Sequence, residues 1–145
     1  MFRTLSLAAV ALVLIGCGSK TNIKPIQDLV DEVTVPTQKA FAAWDPKPLN
    51  DHFTQGPGRD EAKADDDKAM RAAQAKYGKL ISLGKGELKS RDGSDTSNNP
   101  MSTPLVRYEE AKFEKGPAVV EVWIRAKRDT LEWTVDHYKV FDKTP

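Results

Sequence analysis

Among the 145 residues stand one cysteine, Cys17, and two histidines, His52 and His137, and these set most of the chemistry the chain could attempt. Cys17 closes the run Leu14-Ile15-Gly16-Cys17, so its thiol is the only sulfur nucleophile, and small Gly16 leaves the bond before it open to a peptidase. His137 follows Asp136 within Trp133-Thr134-Val135-Asp136-His137-Tyr138. An imidazole oriented by a carboxylate can work as a general base, with Tyr77 or Tyr108 as the proton donor. The competing reading of His137 is a strand residue that is hydrogen-bonded or faces water. His52 beside Asp51 repeats the pair in a weaker setting, with Phe53 next to it as the core residue. No metal is expected: the two histidines match no zinc spacing, and Asp92-Gly93-Ser94-Asp95 lacks the alternating oxygen ligands and closing glutamate of a calcium loop. There is no G-x-x-x-x-G-K to cradle phosphate and no G-x-S-x-G, so no cofactor is expected either. Trp44, Tyr77, Tyr108, Trp123 and Trp133 are able to line a pocket or to fill a core.

Ahead of Cys17, Arg3 and the free amine make a positive leader, and Leu5 to Ile15 make an apolar stretch of eleven residues. A bilayer needs about 20 apolar residues to be crossed by a helix. A lone exposed thiol is a liability in an oxidising compartment, and it has no internal partner for a disulfide. The segment resembles a bacterial lipoprotein signal with its lipobox; an ordinary secretory signal is the rival. The resemblance implies a diacylglyceryl group on Cys17 and cleavage between Gly16 and Cys17. Residues 1–16 then form the signal peptide, 17–24 the lipidated cysteine and tether, and 25–145 a single domain. The lipid implies membrane attachment, since each buried methylene contributes about 0.8 kcal/mol and two or three chains hold durably. Gly18, where an aspartate would favour retention at the inner membrane, implies the outer membrane facing the periplasm in a Gram-negative host. In other hosts the expected address is the outer face of the cytoplasmic membrane.

Formal charge is +1, from 22 Lys plus Arg against 21 Asp plus Glu, and losing Arg3 with the leader brings it to zero. Basic and acidic residues are interleaved, which reads as a solvated surface and argues against nucleic acid as a partner. With no disulfide, stability has to come from apolar burial in one core.

The elements that must position these groups follow from periodicity. Ile26, Leu29, Val30 and Val33 share one helical face, Pro25 suits its first turn, and Pro36 is expected to bend or restart it before Phe41 and Trp44. Asp45-Pro46 should open a short helical turn carrying Leu49 and Phe53. Arg59 to Leu83 reads as the longest helix, with Met70, Ala73, Tyr77, Leu80 and Ile81 as its stripe and Gly84 as terminator. Gly78 is the place where it could stop early. Asp65-Asp66-Asp67 falls in its early turns, where negative charge complements the helix dipole. From Gly86 the period becomes two, predicting strands at Glu87–Arg91, Leu105–Glu114, Ala118–Lys127 and Leu131–Phe141, the last three as an antiparallel meander. Apolar parity slips in two of them. A β-bulge near Glu109-Glu110 and another near Asp136-His137 would account for both slips and would bend the sheet into a hollow.

The fold class expected is therefore α+β, with N-terminal helices packed on a curved antiparallel sheet of about four strands. This order, with Tyr77-Gly78-Lys79-Leu80 and the terminal Trp133-x-Val135-x-x-Tyr138-x-Val140, resembles the nuclear-transport-factor-2-like (cystatin-like) superfamily, and within it small bacterial lipoproteins. That resemblance implies a cone-shaped domain over roughly residues 26 to 142, an architecture that serves isomerases, dehydratases, adaptors and scaffolds alike. Two functions stay open. One is a non-catalytic envelope module binding a protein or small ligand. The other is an isomerase or dehydratase-type enzyme with His137 or Asp136 as base and Tyr77 or Tyr108 as donor in the hollow. A third reading is a domain that spaces or packs envelope components, with a homodimer through the outer sheet face over Val119, Trp123 and Val135, although strands buried on both sides would hide those residues equally well.

Overall fold

Leu29, Val30, Val33, Ala40, Phe41 and Trp44 are all buried, as a helical face spaced by threes and fours predicts. The computed structural model describes residues 26–90, 104–126 and 132–145. The leader, the tether with Cys17, Pro25, the segment holding Asp92-Gly93-Ser94-Asp95 and the Arg128-Asp129-Thr130 turn lie outside the described residues. Three helices, α1 (Ile26–Ala43), α2 (Lys47–Asn50) and α3 (Arg59–Tyr77), precede five strands: β1 (Leu80–Ser82), β2 (Glu87–Lys89), β3 (Leu105–Phe113), β4 (Gly116–Ala126) and β5 (Trp133–Asp142). The strands form one antiparallel sheet in the order β1-β3-β4-β5, with β2 also pairing β3, so the class is α+β.

Pro36 neither breaks nor restarts α1, which is one helix of 18 residues. Proline inside a helix costs about 3 kcal/mol. Here Pro36 is itself buried, and Val33, Thr37, Ala40 and Phe41 around it are fully buried, so packing outweighs the missing N–H. The Thr37 hydroxyl donates to the Val33 carbonyl at 2.7 Å instead of carrying an open polar atom into the core. The helix ends on Trp44, whose φ of 52° lies in the left-handed region that glycine usually supplies, and the Asp45 N–H closes the turn on the Ala40 carbonyl at 3.0 Å. Trp44 is held in that shape by ring contacts with Phe41 and Phe113, centroids 5.8 and 5.6 Å away, and by its Nε1–H donating to the Gly78 carbonyl at 2.9 Å. Trp44→Phe keeps the rings and deletes that bond. It should lower stability by about 1 kcal/mol, read as a shift in the urea midpoint with an unchanged slope.

Pro46, expected as the first helical residue, takes the cap position of α2 instead, and Asp45 just before it accepts the Lys47 N–H on its Oδ1 at 3.0 Å. The long helix does not reach Leu83. It stops at Tyr77, where Gly78, with φ 71°, donates its N–H to the Gln74 carbonyl at 2.9 Å. Leu80–Ser82 pair with Lys112 and Phe113 as β1, which adds a fifth strand, and Ile81 ends up 69 % exposed instead of on a helical stripe.

Both slips of parity are bulges. Tyr108 faces Val120 while Ala111 faces Ala118, so three steps along β3 match two along β4 and the surplus residue falls at Glu109-Glu110. His137 faces Trp123 while Val135 faces Ile124, so Asp136 is the surplus residue of β5. Each bulge lets apolar residues on both sides of it point the same way: Tyr108, Ala111 and Phe113 are buried together, as are Val135 and Tyr138.

Candidate functional site

Being the surplus residue, Asp136 turns away from His137. Its Oδ1 accepts the Thr54 hydroxyl at 2.6 Å, its Oδ2 accepts Arg125 Nε and Nη2 at 3.2 and 3.0 Å, and Arg59 Nη2 lies 3.5 Å from Oδ1 while donating to the Asp136 carbonyl. Burial pushes this carboxyl up. The Thr54 hydrogen bond and the Arg125 and Arg59 charges outweigh it and leave Asp136 below the ordinary carboxylate value. An acid fixed this way joins β5 to the Phe53–Thr54 segment, whose backbone also pairs with Val135. It does not orient His137 and is badly placed to move a proton.

The partner of His137 is Asp66 on α3, its Oδ1 at 2.5 Å from Nδ1. The Asp66 side chain is 6 % exposed and the His137 side chain 37 %, so a buried carboxylate holds one ring nitrogen while the other edge of the imidazole is nearer solvent. The Trp123 ring meets it edge-to-face at 5.1 Å. Asp66 also accepts the Tyr138 N–H at 3.2 Å. Sequence reasoning missed this residue, taking the three aspartates as a dipole complement. The signal was present nonetheless: Asp66, Met70, Ala73 and Tyr77 step by four, three and four, which puts one aspartate on the inward stripe. Asp67 continues the network, accepting the Tyr138 hydroxyl and, at 2.8 Å, Asn50 Nδ2. Burial, then the hydrogen bond and charge of Asp67, push the Tyr138 phenol far above its ordinary value, so it stays a neutral donor.

The two other candidates lie elsewhere. Tyr77 donates to Asp142 Oδ1 at 2.9 Å, and burial raises its phenol. Tyr108 is fully buried beneath α1, its hydroxyl 2.9 Å from that of Thr34, and burial raises it as well. His137, Asp136, Tyr77 and Tyr108 are thus brought into four separate contacts and not into one site. His52 stacks on Trp133 with centroids 4.4 Å apart and is exposed.

The hollow between helices and sheet is filled. Phe41, Trp44, Phe113 and Tyr77 run through it in successive ring contacts of 5.8, 5.6 and 5.5 Å. A void of about 40 Å³ remains beside Phe41, Met70, Tyr138 and Val140, whereas small-molecule sites usually measure about 300–1,000 Å³. Grooves of that size lie on the outside: one of about 350 Å³ between α1 and α2 at Val35, Pro36, Lys39 and His52, and one of about 330 Å³ at Ser82, Gly84, Glu110 and Lys143. Among the described residues no group of three or more His, Cys, Asp or Glu is placed to hold a metal ion, and no helix is long and apolar enough to cross a membrane.

The outer sheet face is not the apolar patch expected of it. Val135 points into the core, Val119 is 2 % exposed, and only Trp123 of the three is partly open. Instead Glu87, Arg107, Glu121 and Lys139 stand directly opposite one another across β2, β3, β4 and β5, a row of alternating charge. Glu121 lies 3.5 Å from Arg107 and 3.2 Å from Lys139, and Lys139 Nζ rides over the Phe141 and Trp123 rings at 4.8 and 5.4 Å. The row depends on register between strands, which the linear sequence does not display. No protein-family model, curated protein or solved structure matches this chain.

Proposed function

We propose that this chain is a lipid-anchored cell-envelope protein, held at the membrane through acyl chains on Cys17, whose domain of nuclear-transport-factor-2-like (cystatin-like) architecture works as a non-catalytic binding or scaffold module. The observation that carries the non-catalytic part is the aromatic filling of the hollow by Phe41, Trp44, Phe113 and Tyr77. An isomerase or dehydratase of this architecture needs two of the candidate groups to converge on an open concave pocket, and the packing speaks against that. Binding then falls to the outer surface, where grooves of ligand size and a charged sheet face are available for an envelope protein or a small ligand.

The address rests on the residues before the fold. Labelled palmitate should enter the wild-type chain and not Cys17→Ser, and the variant should move wholly from the membrane fraction to the soluble one. Equal labelling of both, or membrane retention of the variant, refutes the anchor. Cross-linking on intact cells followed by purification of the anchored form should then return an enriched partner. A ligand panel that gives no thermal shift, together with no enriched partner, refutes the binding module.

A further inference from the structure

Across the outer face of the sheet, Glu87, Arg107, Glu121 and Lys139 read negative, positive, negative, positive, one residue from each of β2, β3, β4 and β5. They alternate along their strands with Val106, Tyr108, Val120 and Tyr138, which are buried under α1 and α3, so the row stands on the side away from the helices. It is open to solvent: the side chains of Glu87, Lys139 and Arg107 are 58, 40 and 33 % exposed. Only Glu121 is buried, and Arg107, Lys139 and the Trp123 Nε1–H already satisfy it within the chain. An even row of strictly alternating sign is complementary to its own reversal. Laid on a second copy about a two-fold axis parallel to the strands and midway between β3 and β4, it sets Glu87 against Lys139 of the partner subunit and Arg107 against Glu121 of the partner subunit, each pair twice. An axis along the row sets every charge on its own duplicate and is repelled. Four strands about 4.8 Å apart, with β4 and β5 paired at nine positions, give a face of about 600 Å². Two such faces bury about 1,200 Å², the lower bound of a stable interface, and the half-buried Phe141 ring lies beside the row as apolar contact.

We propose that this face is the contact of a two-fold homodimer, in which the two sheets pack with their strands aligned and the charge row of one copy lies against the reversed row of the other. The occupant is a second copy of this chain, and the row selects both the partner and its orientation. The outer pairs between Glu87 and Lys139 carry the discrimination, because Glu121 has already left water in the single copy and brings its own counter-charges with it. The dimer names a partner for the binding or scaffold module and rests on that reading; it needs neither the anchor nor an open pocket.

Two copies of the full chain with different C-terminal tags, expressed together, cross-linked on intact cells and captured through one tag, report the contact through the other. Wild-type copies should be captured together. Glu87→Lys against itself should lower the captured signal about tenfold, since it sets like charges together twice at an exposed position, and Lys139→Glu against itself should do the same. Glu87→Lys expressed with Lys139→Glu should regain the wild-type signal, because one pair is then reversed on both sides and the other is unchanged. That regain also shows that both variants fold. Lys139→Glu sets a second carboxylate beside Glu121, and if it does not accumulate, Glu87→Lys against itself decides alone. Undiminished capture of Glu87→Lys against itself overturns the proposal, as does failure of the two accumulated variants to regain the signal. Wild-type copies that stay apart while another protein is enriched overturn the dimer and leave the binding module standing. Copies that stay apart with no other protein enriched and no ligand shift overturn both.

Discussion

Phe41→Ala should lower the free energy of unfolding by about 3–5 kcal/mol, the usual cost of truncating a fully buried phenylalanine. Phe41 is 0 % exposed, meets the Trp44 ring edge-on at 5.8 Å, and borders the void beside Met70 and Tyr138. Removing it merges its own volume with a gap that already exists, so collapse of the neighbours recovers little. A domain of this size has a total stability of about 5–15 kcal/mol, so the variant should be marginal at 37 °C. Urea unfolding followed by circular dichroism measures the loss, and Phe41→Leu should recover most of it by restoring volume. A loss below about 1 kcal/mol would mean that the hollow is not packed around this ring, and the argument for a non-catalytic module would fall with it.

Asp136→Asn is expected to cost about 2 kcal/mol at neutral pH, the range for hydrogen bonds to a charged group. The amide can still accept from Thr54, but Arg59 and Arg125 lose the charge they face. The sign of the pH dependence follows from the lowered carboxyl of the folded protein. Its contribution is complete above the ordinary aspartate value, about 3.9, and fades as pH falls through the lower value of the folded state. The gap between wild type and Asp136→Asn should therefore be flat from pH 5 to 8 and close below about pH 4. A gap that widens in acid would show that burial, not the Thr54 and arginine contacts, governs this residue.

Much of the fold was legible because it is written in local periods. The three-and-four spacing of Leu29, Val30, Val33 and Phe41 located α1, and alternating residues located the meander. The bulges were readable too, since an inserted residue reverses parity within a single strand and leaves its mark there. What failed was competition between periods: Leu80 and Ile81 continue a helical stripe in spacing, and only Gly78, with its positive φ, and the free side of β3 decide for a strand. The site was harder. Asp136 and His137 are neighbours in sequence, but a bulge separates neighbours in space, and the carboxylate that His137 meets belongs to α3. Cross-strand charge rows and helix-to-edge contacts depend on register, which no single stretch of residues carries.

The two kinks have a mechanical consequence for how the sheet assembles. β4 lies between strands that each hold one surplus residue, the first at Glu109-Glu110 and the second at Asp136. Sliding either neighbour along β4 by one position turns that strand's side chains to the opposite face, and the surplus residue is what keeps Tyr108 with Ala111, and Val135 with Tyr138, buried in the native alignment. Each surplus residue thus ties its own strand to one offset against β4, and the meander is keyed twice, once on either side of that strand. Misaligned pairings formed early in folding thus have no comfortable resting place.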